Sequence, residues 1–109
     1  MKNGFYIDEY GNKCWYLNDQ RHREDGPAIE SSSGTKEWYL NGKCHREDGP
    51  AYEYADGTKC WYLNGKLHRE DGPACEYIGG NKYWYYHGEQ INVSSQKEFL
   101  RMLNLKAFW

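Results

Sequence analysis

Three residue types recur in phase at an interval of 23 positions: Trp15, Trp38, Trp61 and Trp84; His22, His45 and His68; Pro27, Pro50 and Pro73. A fixed period of that length means one small unit built several times, and such units bury their apolar surface only against one another. The heptapeptide HREDGPA stands at 22–28, 45–51 and 68–74. The fullest unit is AYEYADGTKCWYLNGKLHREDGP at 51–73, and a partial one, FYIDEYGNKCWYLNDQ, occupies 5–20. Units of about 5–27, 28–50, 51–73 and 74–93 then make one repeat region, 1–93, followed by a segment of different period at 94–109.

Within a unit the turn letters are explicit. Asp-Gly at 56–57 and Asn-Gly at 64–65 favour tight hairpin turns, because Gly and Asn tolerate positive φ. AYEY and KCWYL between them are short, aromatic-rich strands. The predicted fold class is mainly β: a single-layer meander, or solenoid, of β-hairpin repeats closed by one C-terminal α-helix. A two-residue turn at Asp56-Gly57 sets Tyr52 opposite Trp61. Alternation then puts Tyr52, Tyr54, Trp61 and Leu63 on one face and Ala51, Glu53, Cys60 and Tyr62 on the other. The Asn-Gly turn adds His68 to the Trp face. A three-residue loop breaks that parity. The Trp face is the expected core, since each buried ring is worth roughly 4–6 kcal/mol gross.

Composition narrows the function classes. The chain has 11 Tyr and 5 Trp among 109 residues and a net charge of −2. It is neither a polyanion binder nor a nucleic-acid mimic on charge grounds. MKNGFYIDEY has no apolar signal core, and no window approaches the length of a membrane span, so the expected location is cytoplasmic. Cys14, Cys44, Cys60 and Cys75 have no zinc-type spacing and read as free thiols filling small gaps in a reducing compartment. No cofactor is expected.

HREDGPA reads as a joint. His ends a short strand, Arg-Glu-Asp-Gly makes a loop, and Pro restarts an extended segment without needing a ladder N–H. The alternative is a row of metal sites at His22/Asp25, His45/Asp48 and His68/Asp71, but a residue required in every unit is more often architectural. The last unit supports the joint: Ile91 stands at the His68 position and NVSS replaces the acidic loop, where no further unit follows in this sequence. In SSQKEFLRMLNLKAFW, Ser95 and Glu98 form a capping box, and Phe99, Leu100, Met102, Leu103 and Ala107 share a stripe. A helix of about 12 residues is expected there, with Leu105 and Phe108 off the stripe.

The period, the NGK turn with His three residues after its Gly, and the alternating Gly and aromatic positions resemble divergent MORN-like repeats, with their WYLNGK and HREDGPA units, of small phage and bacterial proteins. The resemblance covers about residues 5–109. It implies a hairpin-built scaffold for protein interaction, dimerisation or lipid contact, and it carries no catalytic residue. The negative charge and the missing basic patch weaken lipid contact.

The function expected is therefore a non-catalytic protein-interaction module, with no direct nucleic-acid or membrane partner. Tyr16, Tyr39, Tyr62 and Tyr85 beside Glu30, Glu53 and Glu76 are the candidate contact surface, with Leu105 and Phe108 as further candidates. The bland reading of the same rows is a ladder of Tyr hydroxyls bonded to Glu. Differences between units, such as SSSG at 31–34, Glu37 and His87, are better sources of specificity than the shared letters. From the phage resemblance follows a narrower expectation, an inhibitor of a host defence protein or other host enzyme. Alternatives are a small-molecule or nucleotide binder and a homo-oligomeric scaffold, such as a homodimer, built on the uncapped N-terminal edge.

Overall fold

In the computed structural model, which describes residues 1–106, the repeat appears as short antiparallel strands. The first unit holds β1 (Gly4–Ile7), β2 (Lys13–Leu17) and β3 (Gln20–Arg21). The second holds β4 (Ile29–Glu30), β5 (Lys36–Glu37), β6 (Tyr39–Leu40) and β7 (Lys43–Cys44). The third holds β8 (Tyr52–Glu53), β9 (Lys59–Cys60), β10 (Tyr62–Leu63) and β11 (Lys66–Leu67). The fourth holds β12 (Cys75–Glu76), β13 (Lys82–Tyr86) and β14 (Glu89–Ile91), and α1 (Gln96–Lys106) follows. One ten-stranded sheet runs β1-β2-β4-β5-β8-β9-β12-β13-β14, with β3 on β2 and the β6–β7 and β10–β11 hairpins beside it. The strand order does not close, and the dimensions, 47 × 31 × 18 Å, are those of a slab. The predicted single-layer hairpin meander is therefore what the chain forms.

The Asn-Gly turns behave as their chemistry requires. Asn41, Asn64 and His87 have φ near 50°, and Gly42, Gly65 and Gly88 have φ of 80–85°, so both central residues are left-handed. That is the two-residue turn whose twist matches the strands it joins. His87 takes the Asn position with φ 49°. Trp61 pairs with His68 across this hairpin, the His68 N–H reaching the Trp61 carbonyl at 3.0 Å.

The Asp56-Gly57 loop departs from expectation, as do its equivalents in the other units. Tyr54 N–H donates to Thr58 O at 2.9 Å, so Ala55, Asp56 and Gly57 form a three-residue loop with Gly57 at φ 99°. Tyr52 therefore stands opposite Cys60, and Glu53 opposite Lys59. One residue of slip exchanges the faces of everything on that strand. Tyr52 joins Cys60 and Tyr62; Glu53 joins the side that carries Trp61.

The heptapeptide makes the same contacts in every copy. His22, His45 and His68 accept at Nδ1 from the N–H of Asn41, Asn64 and His87, each in the following unit, at 2.8–2.9 Å. Arg23, Arg46 and Arg69 lie over Trp15, Trp38 and Trp61 at 3.8, 4.0 and 3.7 Å from the ring centre. Each guanidinium also donates to its Asp (Asp25, Asp48, Asp71) and to its Pro carbonyl (Pro27, Pro50, Pro73). Backbone bonds finish the joint: Arg46 N–H reaches Tyr62 O at 3.1 Å, and Trp38 N–H reaches Ala51 O at 2.7 Å. Ala28, Ala51 and Ala74 are fully buried behind these bonds. The joint reading thus holds in geometry, and on the Trp face, the expected core, Arg rather than another ring covers Trp15, Trp38 and Trp61.

Each end of the array substitutes for the missing neighbour. At the N-terminal end, Asn3 Oδ1 accepts from Asn18 N–H at 2.9 Å, and Lys2 O accepts from Asp19 N–H at 2.9 Å. These are the positions that His Nδ1 and Arg21 O serve one unit later. At the other end, α1 closes the sheet. Phe99 is fully buried and, with Trp84 and Ile91, forms an apolar cluster among the described residues, flanked by Tyr86, Val93 and Leu103. Gln96 bridges, accepting from Trp84 Nε1 at 2.9 Å and donating to Glu70 O at 2.8 Å. Ser95 Oγ caps the Glu98 N–H as expected, but the Glu98 carboxylate returns to Ser94 rather than Ser95. The buried stripe is narrower than expected: Leu100 and Met102 are exposed, and Ala107 lies outside the described residues.

Removing this cap should cost more than weakening one joint. Phe99→Ala is expected to lose about 3–5 kcal/mol in urea unfolding. Arg46→Met is expected to lose about 2–3 kcal/mol through the ring contact and the unpaired Pro50 carbonyl. Arg46→Lys should recover less than half, because an ammonium lacks the planar fork.

The joint also makes stability depend on pH. Burial, then the neighbouring His87, holds His68 below its ordinary value of 6.5. A depressed histidine favours the neutral fold, so its contribution is complete above the unfolded value and is lost as pH falls through the folded one. Tm should therefore drop between about pH 7 and pH 5, and less steeply in His68→Asn; equal slopes would contradict the assignment.

Candidate interaction face

The Tyr row follows directly from the joint. Tyr16, Tyr39, Tyr62 and Tyr85 come next after each Trp, and alternation turns them to the other side of the layer. All four are half-buried. Lys2 Nζ lies 4.9 Å from the Tyr16 ring, and Tyr6 packs edge-on against it at 5.7 Å. Tyr39 lies beneath the Arg21 guanidinium at 5.5 Å. Around the row stand Tyr54, Tyr77 and Tyr83, each more than a third exposed, and Ile78 at 70%. Tyr52 and Tyr54 have ring centres 4.7 Å apart, and Tyr77 meets Tyr83 edge-on at 5.6 Å. A depression of about 280 Å³ opens among Tyr77, Asn81, Tyr83, Tyr85 and Gln90.

Glu30, Glu53 and Glu76 are not beside that row. They meet Arg23, Arg46 and Arg69 at 3.4, 3.8 and 3.7 Å, on the Trp side of the layer. The predicted Tyr/Glu surface is corrected for the same reason as the faces, the extra residue in each of the equivalent loops at 32–34, 55–57 and 78–80. The Tyr-to-Glu ladder in its expected form is corrected with it. The carboxylate that does reach the Tyr row is Glu37, which accepts from Tyr39 Oη at 2.8 Å and stands in register with Tyr52. Glu37 was legible as a difference between units, because Cys14, Cys60 and Tyr83 hold the equivalent positions. The side chain of Leu105, and Phe108, lie outside the described residues.

Burial, the Glu37 hydrogen bond and its charge all push the Tyr39 hydroxyl well above the ordinary tyrosine range. Burial raises Tyr62 as far, with Cys60 and Cys75 adding to it. The same causes push the Cys44 thiol up to about 12, burial first and Glu37 second. Tyr39, Tyr62 and Tyr85, all raised by burial first, thus present rings and un-ionised hydroxyls.

On the Trp side, two grooves of about 640 and 700 Å³ lie between successive joints, floored by Trp61 with Leu63 and by Trp38 with Leu40. Their rims carry Glu47, Asp48, Glu70 and Asp71, while the joint histidines and aspartates are engaged as described. The described residues include no group of three or more His, Cys, Asp or Glu side chains arranged to hold a metal ion. None of their helices is long and apolar enough to cross a membrane.

Fold and faces together define an open, one-layer β-repeat sheet, aromatic on one side and jointed on the other. No protein-family model matches the chain, and no curated protein matches it.

Glu37→Gln should bring the Tyr39 ionisation down, leaving the part of its rise that burial causes. An ultraviolet titration of the two chains between about pH 9 and pH 12.5 measures this, and superimposable curves would remove Glu37 from the Tyr row.

Proposed function

We propose that this chain is a non-catalytic protein-interaction module that contacts its partner through the Tyr face. One observation carries the reading: the sheet is a single layer, so the side opposite the joints has no second layer over it, and that side is a continuous field of tyrosines. Tyr offers large, rigid, amphipathic contact area at low entropy cost, which is why it is enriched in protein interfaces. Exposed Tyr54, Tyr77, Tyr83 and Ile78 supply apolar area, and Glu37, which the other units lack, supplies an asymmetric polar point. The resemblance to divergent MORN-like repeats supports a scaffold role. The narrower proposal of a phage-encoded inhibitor of a host defence protein or other host enzyme rests on that resemblance alone.

A second reading is favoured by a specific feature at the N-terminal end. β1 forms the sheet edge that no helix covers among the described residues, with Phe5 49%, Tyr6 41% and Ile7 61% exposed. Such an edge pairs readily with another strand, a second copy included.

The test is binding with folding held constant. Tyr62→Ser combined with Tyr85→Ser should keep the native circular dichroism and lose at least tenfold in affinity for a purified partner. Arg101→Gln, on the exposed side of α1, should bind as the parent does. Light scattering on the parent alone separates the readings. A monomer that forms a stoichiometric complex supports the module. A stable homodimer that ignores the tyrosine changes supports self-association through β1.

A further inference from the structure

The junctions between units reuse one slot with different residues. Where consecutive units pair in the main sheet, the slot holds Cys14 opposite Ile29, Glu37 opposite Tyr52 and Cys60 opposite Cys75. At the third junction, two thiols separated by 15 positions in sequence face each other across antiparallel strands. We propose that Cys60 and Cys75 are a thiol-oxidation site, closed to a cross-strand disulfide by a small-molecule disulfide of the glutathione class, and that the bond staples unit 51–73 to the terminal unit. This inference is independent of the binding reading above.

The ladder fixes the geometry. Tyr54 N–H bonds to Thr58 O and Tyr77 N–H to Asn81 O, each at 2.9 Å. Counting back by twos, Cys60 directs its backbone groups to β8 and Cys75 directs its own to β13. Trp61 N–H bonds to Ala74 O at 2.7 Å, making the neighbouring pair the hydrogen-bonded one. Cys60 and Cys75 are thus a non-hydrogen-bonded pair, the class with Cα atoms about 4.5 Å apart and the closest side chains. That lies inside the roughly 4.4–6.8 Å range a disulfide spans without backbone movement.

Either thiol can open the exchange, and the other then resolves. With Cys60 first, its thiolate attacks one sulfur of oxidised glutathione, giving a mixed disulfide and one glutathione thiolate, which takes up the proton Cys60 released. Cys75, losing its proton to solvent, then attacks the Cys60 sulfur and displaces the second glutathione, which is protonated in turn. Two protein thiols are oxidised and one glutathione disulfide is reduced to two thiols. Both sulfurs are covered, at 5% and 4% residue exposure. The surrounding groups on that side are single tyrosines, Tyr54, Tyr62, Tyr77 and Tyr85, whose rotamer changes admit a reagent without unfolding the sheet. Cys14 faces Ile29; Cys44 faces Tyr39 across its own hairpin and stands within electrostatic reach of Cys60, but it is not paired with Cys60 in the sheet, as Cys75 is.

The test uses the whole chain, incubated with oxidised glutathione under native conditions at about pH 8, then alkylated and weighed intact. The expected product has lost two hydrogens, takes two alkyl groups where the reduced chain takes four, and yields a Cys60–Cys75 cross-linked peptide. Its Tm should rise by roughly 5–10 °C and return on treatment with dithiothreitol. A Cys14→Ser, Cys44→Ser chain should behave identically; if that variant does not fold, the peptide map of the parent decides. Four alkylated thiols, a glutathione adduct that never closes, or a bond joining any other pair would each overturn the proposal.

Discussion

A single layer of sheet has no second layer to cover its large rings, and this chain solves that problem with arginine. Arg23, Arg46 and Arg69 lay their guanidinium planes on Trp15, Trp38 and Trp61 while their donors bind the Asp and Pro carbonyl of the same loop. The aliphatic stem and the delocalised cation do for each ring what a facing sheet does in a sandwich. The loop that delivers the arginine also delivers the histidine whose Nδ1 holds the next turn. Covering the ring and placing the neighbour are therefore one event, which is why seven residues recur unchanged. Stability in such an array is a sum of units and nearest-neighbour junctions, and whatever weakens one junction acts locally first.

The two ends show the same rule in its exceptions. Trp84 has no arginine of its own, because the HREDGPA loop is missing from the last unit, and Ile91 and Phe99 cover it instead. Gln96 ties the helix to the last loop as His ties a unit to the next. At the N-terminal end Asn3 stands in for histidine, accepting the same backbone proton from Asn18. The β1 edge beyond it keeps its apolar side chains in solvent, which is the physical basis for the self-association reading.

The period, the strand content, the Asn-Gly turns and the closing helix were all legible from the chain, because Trp, His and Pro in phase leave few alternatives. His87 could be placed in a turn from its alignment with Asn41 and Asn64, and its φ of 49° agrees. The faces were not legible. They hang on whether the Asp-Gly loop has two residues or three, and the letters DG serve both. That single residue in each hairpin moved Glu30, Glu53 and Glu76 from the Tyr side to the Arg side, while the joint, through Trp61 N–H to Ala74 O, put Cys60 opposite Cys75. The role of the arginines was missed for a different reason. In HREDGPA an Arg beside Glu and Asp reads as a surface ion pair, and only the fold shows a Trp ring within 4 Å beneath it.

Everything proposed about either face assumes that the joint sets the layer, so the joint is the place to test. Scalar couplings across hydrogen bonds, measured by nuclear magnetic resonance on uniformly ¹⁵N-labelled protein at about pH 7.5, report directly on the histidine contacts. The account predicts that Nδ1 of His22, His45 and His68 is unprotonated and coupled to the amides of Asn41, Asn64 and His87. Histidines protonated at Nδ1, or amides of those three residues that exchange as freely as exposed loop amides, would contradict it.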